Sequence, residues 1–252
     1  MTPTSPSVPD RIAVVGRGRL GPALADALRP FAEVSLHGRG ATGTEADLVL
    51  LCVPDHQIAA AAALIAPGRL VGHCSGATGL DPLAPHEALG LHPLMTVSAA
   101  GASFAGAGAA IGGSTPRARG VAAALAQVLG LRAVPLEDAD RPAYHAAASV
   151  ASNFLITLEA WAEELLPCDR ALLAPLVRAS VESWATQGPE RALTGPIARA
   201  DEATVARQRA VVAARTPERL ALWDELTTAT EALAARSRAS APLPPAPAGA
   251  AR

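Results

Sequence analysis

The feature that most constrains the fold of this chain is a glycine-rich turn between a strand pattern and a helix pattern. The apolar run Ile12-Ala13-Val14-Val15 leads into Gly16-Arg17-Gly18-Arg19-Leu20-Gly21, where a helical pattern begins. In this spacing Gly16 permits a tight turn, Gly18 lets a pyrophosphate approach the backbone, and Gly21 lets the helix pack closely on the strand. The helix N-terminus adds free N–H donors for phosphate. The stretch predicts a dinucleotide-binding site, and a turn that binds nothing is the alternative.

The pattern after the turn is typical of an open α/β sheet. A helix is predicted over Leu20 to Leu28 and a second strand over Glu33 to Leu36. The next apolar run, Ala46 to Val53, follows after too few residues for the usual crossover helix. We therefore expect a Rossmann-like, doubly wound parallel sheet that is trimmed at this crossover. Further strands are expected at residues 70–74, 89–92, 109–112 and 132–134, with a helix at 116–129.

The character of the sequence changes near Asp140, where strand patterns end and long Ala/Leu-rich helical patterns begin. This predicts a Rossmann-like domain over residues 11–138 and an all-α C-terminal domain over residues 139–236. The helices are expected at residues 140–166, 170–186, 201–213 and 217–236. The Pro-rich stretches at residues 1–10 and 237–252 are expected to be a disordered leader, without signal-peptide features, and a disordered tail.

The residues after the second strand bear on the choice of cofactor. An acidic side chain at that position would bind the ribose 2′-OH of NAD and repel the 2′-phosphate of NADP. The sequence there is His37-Gly38-Arg39, which has no acid and offers a guanidinium. Arg17 and Arg19 in the glycine-rich turn favour the same choice. NADP is therefore the expected cofactor ahead of NAD, and solvated surface arginines are the alternative interpretation.

Composition excludes several classes of function. All 21 basic side chains are arginine, so mechanisms that need a lysine ammonium or a lysine Schiff base are not available. The net charge of −2 disfavours a nucleic-acid partner, and no segment has the roughly 18 to 20 continuous apolar residues that cross a bilayer. Cys52, Cys74 and Cys168 suit buried reduced thiols better than disulfides or metal ligands. We expect a cytoplasmic protein that binds a small molecule and no metal.

Three short polar motifs follow predicted strands and are therefore expected to meet at one edge of the sheet. They are Val53-Pro54-Asp55, the stretch His73 to Thr78, and His92-Pro93. In open α/β sheets ligands bind at the carboxyl ends of the strands. Val53, Pro54 and Ser75 are thus candidate cofactor contacts. His92 is a candidate substrate contact, with a structural histidine bonded to backbone as the alternative.

A polar stripe runs along the helix predicted to begin near Asp140. His145, Ser149, Ser152 and Asn153 stand at positions i, i+4, i+7 and i+8, which share one face of an α-helix. As a catalytic site, His145 would donate or accept a proton while Ser149 and Asn153 orient the substrate. As a structural feature, the same residues would be hydrogen-bonded in a helix–helix or dimer interface.

Taken together, these motifs resemble a family of NAD(P)-dependent oxidoreductases with a Rossmann-like N-terminal domain and a helical C-terminal domain of unknown function. The resemblance covers about residues 11 to 236. It rests on the glycine-rich turn and the strand-end motifs, on Leu91-His92-Pro93-Leu94, on Tyr144-His145 through Asn153, and on Leu193-Thr194-Gly195-Pro196. It implies NAD(P) binding and kinship with pyrroline-5-carboxylate reductases, ketopantoate reductases and prephenate dehydrogenases. His92-Pro93 and His145 are similar to the two histidine motifs of prephenate dehydrogenases. The shortened stretch Gly38 to Glu45 departs from the family.

The sequence therefore predicts an NADP-dependent oxidoreductase that transfers a hydride between nicotinamide and a small, anionic carbonyl, imine or hydroxy compound. His145 is the candidate acid or base, with His92, Ser149 and Asn153 beside it. The competing hypothesis is a non-catalytic NADP-binding sensor or assembly protein. The Ala/Leu-rich helices have more apolar surface than one small domain covers, and related reductases dimerise, so we expect a homodimer through the C-terminal domain.

Overall fold

The computed structural model describes residues 7–98, 102–167 and 169–240. Residues 1–6, which hold most of the predicted leader, lie outside the described residues, as do Cys168 and most of the predicted tail, residues 241–252. The chain divides into two compact units, residues 1–153 and residues 154–252. The change of sequence character at residue 139 falls inside the first unit, so the domain boundary drawn from composition stays a prediction.

The first unit is built on one seven-stranded sheet with the strand order β2-β1-β3-β4-β5-β6-β7. Neighbouring strands are parallel except for β5 and β6, which are antiparallel. The strands are β1 (Arg11–Val15), β2 (Glu33–His37), β3 (Leu48–Leu51), β4 (Leu70–His73), β5 (Glu87–Leu94), β6 (Gly108–Gly113) and β7 (Arg132–Pro135). The predicted Rossmann-like fold class is confirmed, with the antiparallel strand β6 as an addition.

Helices cover both faces of this sheet. In the first unit they are α1 (Leu20–Leu28), α2 (Ile58–Ala62), α3 (Pro116–Val128) and α4 (Arg141–Ser149). The helix α1 buries Gly21, Leu24, Ala25 and Leu28, which are spaced i, i+3, i+4 and i+7 and so form one apolar stripe. One core cluster packs α1 and α3 against the sheet, and a second packs α2 against the other face. The strands β3 and β4 are buried along their whole length, as expected for central parallel strands.

The second unit contains helices and no strand among its described residues. Its helices are α5 (Leu155–Leu165), α6 (Arg170–Gln187), α7 (Pro189–Ala192), α8 (Glu202–Arg215) and α9 (Leu220–Ser240). The short α7 was not anticipated from the sequence, and α9 continues past residue 237, where the tail was expected to begin. None of the helices in the described part of the chain combines the length and the apolar character needed to traverse a bilayer.

One further detail differs from the sequence prediction, and another agrees with it. The single helix expected over residues 140–166 is divided by a π-helical segment, Val150–Phe154, between α4 and α5. The connection between β2 and β3, residues 38–47, contains no helix, as the trimmed crossover predicts. A cavity of about 660 Å³ is lined by that connection and by residues of β1 and β2.

Candidate functional site

The site is positioned by a reversal in the strand order. The chain passes from β1 to β2 on one side and then crosses to β3 on the other, so β1 lies between them. The crevice outside the carboxyl ends of the strands at such a reversal is where open α/β sheets bind ligands. Gly16 follows β1 at this edge, and Cys52 follows β3. The predicted glycine-rich turn therefore lies at the switch point of the sheet.

Two of the three glycines in the turn are needed for packing. Gly16 has φ of +129°, and a Cβ atom there would lie 2.2 Å from the carbonyl oxygen of Cys52. A Cβ atom on Gly21 would lie 1.9 Å from the carbonyl oxygen of Gly16. Both approaches are far inside van der Waals contact, so only glycine permits this close packing of strand, turn and helix.

The third glycine faces open space. A Cβ atom on Gly18 would have no heavy atom within 4 Å. The fold alone does not explain glycine at this position, whereas a group lying against the backbone would. The N-terminus of α1 directly follows and has no side-chain cap, so its first N–H groups have no side-chain oxygen on them. The open space at Gly18 and the uncapped N-terminus of α1 beside it have a geometry that can accept an anionic group.

Arg17 and Arg19 flank Gly18 in the chain, and a third arginine, Arg39, follows β2. Arg17, Arg19 and Arg39 are exposed, and none of them makes a hydrogen bond or an ion pair with any residue that the structure describes. A cavity of about 230 Å³ lies between the loop that carries Arg39 and the start of α2. Its lining is mostly apolar and consists of Val15, Arg39, Gly40, Ala41, Val53, Gln57, Ala60, Ala61 and Leu64.

Ser75 is buried, and its hydroxyl is fully used inside the protein. Its Oγ donates to a carboxylate oxygen of Asp55 at 2.8 Å and accepts from the backbone N–H groups of Ala77 and Thr78 at 3.2 and 2.9 Å. A serine hydroxyl has one donor and two acceptor positions, so none remains. Ser75 thus connects the loop after β4 to the loop after β3. A ligand could hydrogen-bond to Ser75 only through its backbone.

His73 is fully buried at the end of β4. Its Nε2 lies 2.9 Å from the carbonyl oxygen of Gly79, and its Nδ1 accepts from the backbone N–H of Ser75 at 3.2 Å. Because a carbonyl only accepts and an N–H only donates, these contacts fix a neutral ring with the proton on Nε2. Burial lowers the pKa of His73 and stabilises the same neutral form. His73 is a structural member of the site.

His92 and Tyr144 form a pair that the sequence did not reveal. His92 lies on β5 beyond the last residue that pairs with β4, at the same edge of the sheet. Its Nδ1 is 2.8 Å from the hydroxyl oxygen of Tyr144, the only tyrosine of the chain. Burial lowers the pKa of His92 to about 4, with smaller contributions from the nearby His145 and Arg141. His92 is therefore neutral at physiological pH.

Arg141 is the second residue of the site that sequence analysis missed. Only 2% of its surface is exposed, and its guanidinium contacts Asp138 at 2.6 Å and the carbonyl oxygen of Ser75 at 3.4 Å. Burial opposes the charge on Asp138, but hydrogen bonds from Arg141 and from the backbone of Leu80 outweigh it and lower the pKa of that carboxyl. The spacing Asp138-x-x-Arg141 before a predicted helix was the available signal.

The predicted polar stripe is only partly preserved. His145 and Asn153 are exposed and Ser149 is half-buried, so the stripe is not the buried one that the sequence suggested. The π-helical segment at Val150–Phe154 changes the helical period, and positions i+7 and i+8 no longer follow the 3.6-residue repeat. Ser152 hydrogen-bonds the carbonyl of Ala148 and lies 3.4 Å from the side-chain oxygen of Asn153.

Two cysteines also lie at the carboxyl edge of the sheet. Cys52 and Cys74 follow β3 and β4 and are free thiols whose sulfur atoms lie 3.8 Å apart. The hydrogen bond that the Cys52 thiol donates to Cys74, and then burial, raise the pKa of Cys52 well above its ordinary value. Among the described residues no group of three His, Cys, Asp or Glu side chains is arranged to hold a metal ion.

Part of the chain matches a known protein family in sequence. Residues 107–230 match the family described as a domain of unknown function, DUF2520. No curated protein matches the chain in sequence. The family match begins at β6 and extends through the helical unit, and it confirms the helical region of unknown function that the sequence resemblance predicts.

Solved structures share the fold at low identity. A provisionally named NADP oxidoreductase from Bacteroides fragilis is 22% identical with a TM-score of 0.75, and the match covers 88% of this chain and 98% of that one. A protein from Thermotoga maritima is 20% identical with a TM-score of 0.75, covering 90% and 99%. The 1-pyrroline-5-carboxylate reductase of Streptococcus pyogenes is 14% identical with a TM-score of 0.57, covering 91% and 98%. The resemblance to Rossmann-like proteins with a helical C-terminal region is confirmed as one of fold.

Proposed function

We propose that this chain, which has the fold of Rossmann-like reductases with a helical C-terminal region, is an NADP-dependent oxidoreductase. The observation that carries the proposal is the open space at Gly18, between two glycines that the packing requires. An uncapped helix N-terminus beside that space supports a pyrophosphate site. The fold neighbour from Bacteroides fragilis, named as an NADP oxidoreductase, agrees with the proposal.

The preference for NADP over NAD rests on Arg39 and its neighbours. Arg39 lies at the cavity beside α2, where the adenosine half of a dinucleotide would be held against the apolar residues Val53 and Leu64. Its guanidinium is not paired with any described residue and suits a 2′-phosphate. No acidic residue stands at the end of β2, in His37-Gly38-Arg39, to bind a free ribose hydroxyl. Val53 and Pro54 are proposed contacts of the same cofactor.

The bound cofactor would supply or accept the hydride. The chain's own contribution would come from α4, where the exposed His145 exchanges a proton with a small, anionic carbonyl, imine or hydroxy compound. Ser149 and Asn153 are proposed to orient that compound, and His92 to contact it from β5. The proton exchange is assigned to His145 because His145 is exposed, whereas His92 is half-buried and neutral.

The test is a comparison of NADPH and NADH binding by fluorescence or calorimetry. The wild-type protein should bind NADPH more tightly, and Arg39→Glu should reverse the preference because a carboxylate repels the 2′-phosphate. Arg119→Glu makes the same charge change at another exposed, unpaired arginine, on α3, and should leave the preference unchanged. Equal affinities of the wild type for the two cofactors would contradict the NADP assignment.

A non-catalytic NADP-binding sensor or assembly protein is the second candidate. The observation that favours it is that Ser75 and His73 at the strand ends have no hydrogen-bonding capacity left for a substrate. The chain also lacks lysine. A sensor would bind NADPH without oxidising it in the presence of a broad panel of carbonyl and imine compounds. Steady NADPH consumption with any of them would eliminate this candidate.

A homodimer is proposed for the helical unit. Large apolar side chains on α5 and α6 are exposed, among them Ile156 at 68%, Leu172 at 70% and Leu176 at 66%. Leu172 and Leu176 are one helical turn apart and form an apolar stripe, which a second copy of the same helix would bury isologously. Leu176→Glu should give a monomer by light scattering. Arg178→Glu, on a different face of α6, is the control and should remain dimeric.

The cytoplasm is the proposed compartment. Cys52 and Cys74 have their sulfur atoms 3.8 Å apart and are not joined in a disulfide. Neighbouring thiols of this kind persist where the redox environment is reducing.

A further inference from the structure

The pair formed by His92 and Tyr144 has a defined geometry. The two rings are 5.5 Å apart between centroids and meet at 84°, so the edge of one faces the other. Nδ1 of His92 lies 2.8 Å from the hydroxyl oxygen of Tyr144. Nε2 of His92 makes no hydrogen bond to any described residue, and it is not fully buried. Nε2 is therefore the ring nitrogen that solvent or a ligand can reach.

The protonation states of the two groups allow the tyrosine hydroxyl to donate to Nδ1 of His92. Burial raises the pKa of Tyr144 above its ordinary value, so the phenol keeps its proton. His92 is neutral and carries one N–H. The charged and titratable groups around it are His145 and Arg141 on α4, His73 on β4 and Asp55 after β3. All of them except Asp55 disfavour a second proton on the ring. Donation from the tyrosine hydroxyl to Nδ1 leaves the ring proton on Nε2.

The position of the His92 ring is also restricted from the opposite side. A Cβ atom on Gly76 would lie 2.8 Å from Cε1 of His92 and 3.0 Å from each of its ring nitrogens. Nearly equal distances to three ring atoms show that the ring lies flat over the backbone of Gly76. The hydroxyl of Tyr144 at one ring nitrogen and the backbone of Gly76 below the ring leave little room for rotation about χ2.

We propose that Tyr144 is a positioning residue that fixes His92 as the Nε2–H tautomer, so that His92 presents a hydrogen-bond donor at the ligand-binding edge of the sheet. The acceptor that such a donor fits is the oxygen of a carbonyl or the nitrogen of an imine. This role for His92 rests on the proposed function. A neutral imidazole that donates a hydrogen bond polarises such a group without giving up its proton, since the resulting imidazolate is highly unfavourable. The two histidines would then divide the work, with His92 polarising and His145 exchanging the proton.

The experiment is long-range ¹H–¹⁵N correlation NMR on protein with ¹⁵N-labelled histidine, at pH 7 and without added ligand. In the wild type, His92 should show a protonated Nε2 and an unprotonated, hydrogen-bonded Nδ1. In Tyr144→Phe, the ratio of the Nε2–H to the Nδ1–H tautomer should fall about fivefold, the equivalent of one hydrogen bond of ~1 kcal/mol. His145→Ala is the control and should leave the tautomer ratio of His92 unchanged. A wild-type His92 protonated on Nδ1 overturns the proposal, as does a Tyr144→Phe protein whose ratio is unchanged.

Two further measurements keep the test decisive. If Tyr144→Phe does not fold, the wild-type ¹³Cζ resonance of tyrosine, unambiguous because the chain has one tyrosine, serves instead. It should report a protonated phenol up to pH 10, and a phenolate below that pH would refute the assignment. NADPH affinity separates the two proposals, because Tyr144→Phe should bind NADPH like the wild type. A wild-type protein that does not bind NADPH contradicts the proposed function and leaves the tautomer result standing.

Discussion

Replacing Gly18 by alanine separates the binding of a dinucleotide from the folding of the turn. The added methyl group meets no atom within 4 Å, and the backbone of Gly18 is not in the left-handed region. The stability of the protein should therefore change by no more than about 0.5 kcal/mol, as for other surface substitutions. A pyrophosphate lying against this backbone would collide with the methyl group. Overpacking of that size costs about 1 to 3 kcal/mol, so the Kd for NADPH should rise about 5- to 150-fold.

Two other glycines supply the comparison. Gly21→Ala places a methyl group 1.9 Å from a backbone oxygen that cannot move independently, so the thermal midpoint should fall with or without cofactor. Gly108→Ala on β6 brings the methyl group only into ordinary contact with Leu94, at 3.8 Å, and should change neither stability nor binding. The three variants thus predict three different combinations of melting temperature and affinity.

The assay is NADPH fluorescence titration together with thermal melting of each variant. A Gly18→Ala protein that melts like the wild type and binds NADPH with wild-type affinity would refute the reasoning, because the open space would then not hold the cofactor. A Gly18→Ala protein that melts at a much lower temperature would also contradict it, since the methyl group would then be meeting protein atoms.

Three further predictions concern His92 and the residues around it. His145→Ala should leave NADPH affinity and melting temperature nearly unchanged, because His145 is exposed, and should lower turnover by roughly 10²- to 10⁴-fold once a substrate is found; a large drop in melting temperature would indicate a structural role instead. Gly76→Ala should displace the ring of His92, detectable as a change in its imidazole resonances with NADPH affinity retained, whereas unchanged resonances would show that the ring is not held against this backbone. Stability should decline as the pH falls from about 6.5 towards 4, because the unfolded chain binds a proton on His92 in that window while the folded chain does not, and the lowered pKa of His73 acts in the same direction. Urea unfolding at several pH values measures this slope, and a His92→Gln protein with the same slope as the wild type would show that His92 does not contribute to it.

The sequence predicted those elements whose signal is local. The turn at Gly16 to Gly21 and the helix Leu20–Leu28 are encoded by residues adjacent in the chain, and the structure has them at the predicted positions. The antiparallel direction of β6 was not predictable, because a short apolar strand has the same alternation whichever way it runs. The π-helical segment after Ser149 likewise has no signature in residue periodicity.

The candidate site was predictable only where its residues follow strands. His92 and the motifs after β3 and β4 were found because parallel strands end at one edge. Arg141 was missed because an arginine is ordinarily exposed, and its burial depends on Asp138 and on a carbonyl 66 residues away at Ser75. The contact of Tyr144 with His92 spans 52 residues and depends on the placement of α4 relative to β5, which no local pattern specifies.

The connection between β2 and β3 lacks a helix, but it is anchored at several points. The carbonyl oxygen of Thr42 accepts from the backbone N–H of Ala66 at 2.9 Å, and that of Thr44 accepts from Arg69 at 2.6 Å. Gly43 has φ of +64°, and a Cβ atom there would lie 2.4 Å from a methyl carbon of Val49. The connection that bears Arg39 is thus held in place at several points along its length. A substitution at Arg39 leaves these contacts intact, whereas the insertion of a crossover helix would break them. If Arg39 selects the cofactor as proposed, a point change there alters the selection without loss of these anchoring contacts, whereas an inserted helix would have to replace them.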